Sequence, residues 1–240
     1  MCKALKKFDD IYFYIPDNKE RYIKYSELNP EMDTEDVVWH VNNYLDKEKY
    51  SFDVPVSDFH DPCLIVNKFF KLPLDYVPND LTEADGIFMR QKVADSYIKM
   101  RDTAKEEGYS IKVTSAYRSA DEQMATYNRF LKTLTPKEVD ESVARPGYSE
   151  HQTGLAVDIE GSIPGGRNIH LTPEAKWLKD NCHKFGFILR YLPETTFITG
   201  YASEPWHFRY VGVDISTDIH NKGIKTLEEY VQRVWNRENK

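Results

Sequence analysis

Cysteine is scarce in this chain. Cys2, Cys63 and Cys182 are the only three among 240 residues, they lie far apart, and none belongs to a C-x-x-C pair. That spacing excludes a cysteine zinc site and a disulfide framework, and the thiols read as free. Long apolar runs are missing as well. No stretch approaches the roughly 20 apolar residues of a spanning helix. Residues 1–10 contain no apolar segment of the kind found in a secretory leader, so the chain reads as soluble and without a signal peptide. Positive charge is not in excess either: 32 Lys and Arg face 39 Asp and Glu, a net charge of −7. Basic residues are scattered among acidic ones, which argues against a nucleic-acid partner, since such binding neutralises phosphates with Lys and Arg. Internal repeats and low-complexity tracts are also absent.

What is present is a globular composition, 40% apolar and 30% charged, with enough chain for one large domain or a domain plus an arm. Residues 1–80 are rich in charged and aromatic groups and read as an N-terminal arm that packs on a core at 81–240. Within the arm, Glu35 to Leu45 suits a short amphipathic helix capped by Asp33 or Thr34. In the core, the spacing predicts a helix over Glu83 to Glu107. It predicts a second over Asp121 to Leu134, with Met124, Tyr127, Phe130, Leu131 and Leu134 facing inward. Pro173 to Phe185 and Thr226 to Trp235 read as further helices. Strands are expected at Ile111 to Ser115, Gly154 to Ile159, Gly186 to Tyr191 and Trp206 to Val211, and a Gly-rich loop at Gly161 to Asn168. Short strands with helices between some of them indicate an α+β fold whose small antiparallel sheet is flanked by helices.

Three segments place ionisable residues in core-like surroundings. Around Asp158, alternation sends Leu155, Val157 and Ile159 to one face and Ala156 and Asp158 to the other. A carboxylate in so apolar a strand is costly unless paired or bound to a metal. Gly154 permits a sharp entry that brings His151 back towards Asp158. In the second segment Trp206, Phe208 and Tyr210 share one face, and His207 and Arg209 the other. Glu204 lies just before this strand, ahead of Pro205, within reach of the same site. Two histidines and a carboxylate form a catalytic zinc ligand set with a fourth position open, and a nearby Glu supplies the base. A lone strand histidine is more often structural, but the conjunction of His151, Asp158, His207 and Glu204 reverses that preference. In the third segment a strand ends and a helix begins. There Arg118 either neutralises a substrate carboxylate or oxyanion or forms a surface ion pair, and Ser119 or Asp121 caps the helix. A cysteine hydrolase built on Cys182 and His183 is disfavoured, because adjacent helical residues point about 100° apart.

Ser149, His151 and Asp158, followed by Glu204, Trp206 and His207, with Ser115, Tyr117, Arg118 and Ser119 upstream, resemble the VanY/LdcB-type D-alanyl-D-alanine and LD-carboxypeptidases. The resemblance covers roughly Leu81 to Gly212. It implies a Hedgehog/DD-peptidase-like zinc peptidase core, with Zn2+ held by His151, Asp158 and His207. It implies Glu204 as catalytic base, Arg118 in the substrate pocket, and Gln123 and Ser149 as further substrate-binding residues. The implied reaction is removal of a C-terminal D-residue from a peptidoglycan stem peptide, at the cell envelope or outside the cell. An endopeptidase of the same fold is the runner-up, and a non-catalytic cell-wall-binding module a weaker third.

Overall fold

A computed structural model describes residues 7–56, 58–163 and 166–236. Cys2 and the middle of the expected Gly161–Asn168 loop lie outside the described residues. The N-terminal region carries α1 (Lys19–Leu28), α2 (Thr34–Asn42), and the two short paired strands β1 (Val54–Pro55) and β2 (Phe70–Lys71). The Asp33 carboxylate accepts the Asp36 N–H at 2.8 Å and caps α2.

Next come β3 (Leu81–Ala84), β4 (Ile87–Arg90) and α3 (Gln91–Glu106). The expected helix from Glu83 is corrected here: its first turns form a β-hairpin. Asp85 and Gly86 both have positive φ, 50° and 81°. An Asp-Gly pair in that conformation makes the two-residue turn whose twist matches an antiparallel hairpin. The helix starts only where the second strand ends.

The remaining elements are β5 (Lys112–Ser115), α4 (Ala120–Phe130), α5 (Pro136–Ser142), β6 (Ala156–Glu160), α6 (Pro173–Asn181), β7 (Phe187–Tyr191), α7 (Thr196–Thr199), β8 (Glu204–Tyr210), α8 (Val213–Lys222) and α9 (Leu227–Tyr230). The expected helix over Asp121 to Leu134 ends early, at Phe130. Met124, Leu131 and Leu134 are exposed, and only Tyr127 and Phe130 of the expected inward set pack, against Val139 and Val143. A helix laid on one edge of the fold needs a narrower apolar stripe than the sequence supplies.

β5, β6, β8 and β7 form one antiparallel sheet in that order. One face buries Val113, Val157, Ile159, Phe187 and Phe208 against Val93, Tyr97 and Met100 of α3 and Trp177 and Leu178 of α6. Each such fully buried apolar side chain contributes about 1.5–3 kcal/mol. Because side chains alternate, packing this face obliges Asp158 and His207 to emerge on the other.

The N-terminal region covers part of the second face and the C-terminal elements. Cys63 and Ile65 join Ile188, Ile215, Leu227 and Tyr230 in a separate apolar cluster. Polar ties reinforce the contact: Leu72 N–H donates to the Gly147 carbonyl at 2.8 Å, and Arg233 Nη2 lies 2.7 Å from Asp36 Oδ1. Among the described residues, no helix is long and apolar enough to cross a membrane.

Candidate active site

The centre of the site is a cross-strand pair. β6 and β8 are in register so that Asp158 lies opposite His207, and directly opposed residues project their side chains together on one face. His151 arrives from a separate 3-10 turn, Glu150–Thr153. Ser149 Oγ accepts the His151 N–H at 3.3 Å at the start of that turn. Gly154 ends it with φ +67°, and a Cβ there would stand 2.9 Å from Arg90 Cγ. Only glycine therefore returns the chain into β6 at this point without strain.

His151 Nε2 lies 3.4 Å from Asp158 Oδ2, and His207 Nδ1 lies 3.3 Å from Asp158 Oδ1. The two rings are nearly perpendicular, at 86°. One donor atom from each of His151, Asp158 and His207 lies within 4.8 Å of the others. Asp158 Oδ1 is buried yet accepts no hydrogen bond, because its approach to His207 is close but poorly aligned. An orphaned anionic oxygen beside one imidazole nitrogen, with a second imidazole against its sister oxygen, is satisfied by a cation placed among them. The outer nitrogens are engaged elsewhere: His151 Nδ1 with the Ala116 carbonyl at 2.6 Å, and His207 Nε2 with Glu150 Oε2 at 3.3 Å. This is the outer-shell support a metal-binding histidine requires. The donor set and its surroundings thus fit zinc.

Electrostatics agree. Burial pushes the Asp158 carboxyl up, but His151 and His207 outweigh it and hold the group below the usual carboxylate range. Burial likewise disfavours the charged form of His207, yet the carboxylates of Asp158 and Glu150 beside it raise it to about 9. His151 is shifted the other way, with burial dominant over the attraction of Asp158. The pocket is therefore built for net positive charge next to Asp158, and a metal must compete with a proton for His207.

Glu204 opens β8, and its Oε2 stands 3.5 Å from His207 Nδ1 without joining the ligand cluster. These residues sit in an open cleft of about 440 Å³ whose wall includes Arg118, Gln123, Tyr148, Ser149, Tyr191 and Trp206. Arg118 is not a surface ion pair. Its Nη1 donates to Gln123 Oε1 at 2.9 Å and its Nη2 to Ser115 Oγ at 2.8 Å. Gln123 is itself buried and donates to the Ala144 carbonyl at 2.7 Å, so it acts on Arg118 more than on the cleft. Ser119 caps α4 in a reciprocal box with Glu122.

The Cys182–His183 pair is not arranged as a nucleophile and its base. The Cys182 thiol is buried and pushed up to about 12 by that burial, and the ring of His183 stacks on His220 at 3.7 Å. Sequence reasoning missed Glu150, Tyr191 and Arg190, and read Arg209 only as a face-mate of His207. Glu150 lies between two motif residues, so its position was visible but its partners were not. Tyr191 packs its ring 4.8 Å from that of His207.

Comparison with known proteins agrees with this geometry. Residues 86–213 match the family profile "VanY: D-alanyl-D-alanine carboxypeptidase". The chain is 39% identical to the putative carboxypeptidase YodJ of Bacillus subtilis (strain 168) over 183 residues, 71% of this chain and 67% of that protein. It is 35% identical to a D-alanyl-D-alanine carboxypeptidase of Enterococcus faecalis, covering 70% of this chain and 65% of that one. The chain thus spans about two thirds of the length of these curated relatives. Among solved structures it resembles the LdcB LD-carboxypeptidase, with a TM-score of 0.70 and 34% identity over 78% of this chain and 97% of that one. It also resembles VanYB in complex with D-alanine-D-alanine, with a TM-score of 0.62 and 34% identity over 72% and 98% of the two chains. A similar VanY mutant was solved in complex with Zn(II). Fold, ligand cluster and neighbours together define a zinc carboxypeptidase. The chain belongs to the VanY family of D-alanyl-D-alanine carboxypeptidases.

Proposed function

We propose that this protein hydrolyses the terminal peptide bond of peptidoglycan stem peptides and releases the C-terminal D-amino acid, D-Ala. The observation that carries this reading is the pairing, in one cleft, of the metal-binding cluster with a guanidinium locked in place by Gln123 and Ser115. An exopeptidase needs a fixed cation for the free carboxylate of its substrate, and Arg118 is held for that task.

His151, Asp158 and His207 would hold the zinc ion. Bound there, zinc would supply Lewis-acid chemistry that favours attack of water on a peptide carbonyl near neutral pH. Glu204 takes the proton of the attacking water and passes it to the leaving amine. Its position before Pro205 keeps the backbone extended and aims the carboxylate at the cluster. Arg118 binds the terminal carboxylate and lends positive charge to the developing oxyanion. Ser149 fixes the turn that carries His151, and its place on the cleft wall suits a substrate contact. Such a substrate places the enzyme's work at the cell envelope or outside the cell.

The open form of the cleft favours a second reading, an endopeptidase acting within the stem or cross-bridge. A paired substrate separates them. A stem pentapeptide with a free C-terminal carboxylate should be cut at least roughly tenfold faster than the same peptide as its C-terminal amide, because a charge-assisted bond to Arg118 is lost, worth about 1.5–3 kcal/mol. Equal kcat/KM for the two would select the endopeptidase.

A further inference from the structure

Beside His207, at the floor of the cleft, four charged side chains form a cluster closed to water. Glu150, Arg190, Arg209 and Glu228 all have 0% side-chain exposure. Glu150 Oε1 accepts from Arg190 Nε at 2.8 Å and from Arg209 Nη1 at 2.9 Å. Glu228 takes both Nη groups of Arg190, at 2.8 and 2.9 Å. Two anions balance two cations, which is the condition under which such a cluster survives burial. The cluster is tied outward as well. Arg209 Nη2 donates to the Leu64 carbonyl at 2.7 Å, and Asn67 Nδ2 to Glu228 Oε1 at 3.1 Å.

Beyond the arginines, Glu150 Oε2 faces His207 Nε2 at 3.3 Å. From that juxtaposition we infer that Glu150 is a positioning residue for the metal centre. It accepts the Nε2–H of His207 and so fixes the tautomer and ring orientation that turn Nδ1 towards Asp158. Arg190 and Arg209 hold Glu150, the Leu64 carbonyl holds Arg209, and Glu228, itself bonded by Asn67, holds Arg190. The polar chain behind Glu150 thus reaches Leu64, Asn67 and Glu228, which lie outside the span 86–213 matched by the family. His151 has a simpler support, the Ala116 carbonyl, which involves no charge. The inference rests on His207 as a zinc ligand.

Glu150→Gln and Glu228→Gln separate positioning from general stability. Both remove one charge from the same buried cluster, but only the first alters the group that meets His207. A Gln at 150 either points an N–H at the Nε2–H or gives up an arginine. Zinc dissociation constants should be measured by competition with a chromophoric chelator. Glu150→Gln should bind zinc roughly 10–100-fold more weakly, as for lost outer-shell partners, and Glu228→Gln much closer to wild type. Wild-type affinity in Glu150→Gln, or equal weakening in both, overturns the inference. Should Glu150→Gln fail to fold, nitrogen-15 NMR of the zinc-loaded wild type decides: His207 is expected with its proton on Nε2, and a proton on Nδ1 overturns the inference. A wild-type protein that takes up no zinc would instead overturn the ligand assignment beneath it.

Discussion

Glu204→Ala should lower kcat/KM for stem-peptide hydrolysis by about 10²–10⁴, the usual contribution of a general acid–base group, while leaving about one zinc per chain, the content of a three-ligand catalytic site. The two halves of that outcome belong together. Glu204 approaches His207 Nδ1 at 3.5 Å but stands outside the cluster of donor atoms. Its removal leaves His207 with Asp158 on one side and Glu150 on the other. Nothing that holds the metal is lost, whereas a carboxylate placed beside the cluster to move a proton is gone. Steady-state kinetics and metal analysis on the same preparation check it. Full activity in the variant would remove Glu204 from the mechanism. Loss of zinc along with activity would make it a ligand.

His207→Ala should lose both zinc and activity. Deleting it leaves His151 and Asp158 as the only donors of the cluster, and a zinc site needs at least three protein ligands. The affinity loss should far exceed the roughly 10–100-fold expected for an outer-shell change. The variant should also be less stable, because buried Glu150 and half-buried Asp158 both face this imidazole and a buried charge without its partner is costly. Metal content after dialysis, with a urea unfolding curve, checks both effects. A variant that retained stoichiometric zinc would place the metal elsewhere.

Much of the site was legible in the chain because strand alternation is a short-range rule. The pattern that sends Val157 and Phe208 into the core also sends Asp158 and His207 to the opposite face. His151 was legible through Gly154, whose positive φ ends the turn before β6. The boundary of α3 was misread although its signal was present. Apolar residues at Ile87 and Phe88 fit a helical stripe, and the turn chemistry of Asp85 and Gly86 overrides that stripe. The inward face of α4 was overestimated for a different reason: Met124, Leu131 and Leu134 stay exposed, and periodicity alone does not say what a face meets. Glu150, Arg190 and Glu228 were beyond reach. Their pairing joins positions 38 and 40 residues apart in the chain, and only the packed fold brings such charges together.

The central claim is a single zinc ion at His151, Asp158 and His207 that supports release of a C-terminal residue. Titrating zinc into chelator-stripped protein while following that release by mass spectrometry tests it most directly. The account predicts no turnover without metal and a rise that saturates at about one zinc per chain, as a three-ligand catalytic site requires. Hydrolysis by the metal-free protein, or a product cut at an internal bond, would contradict it.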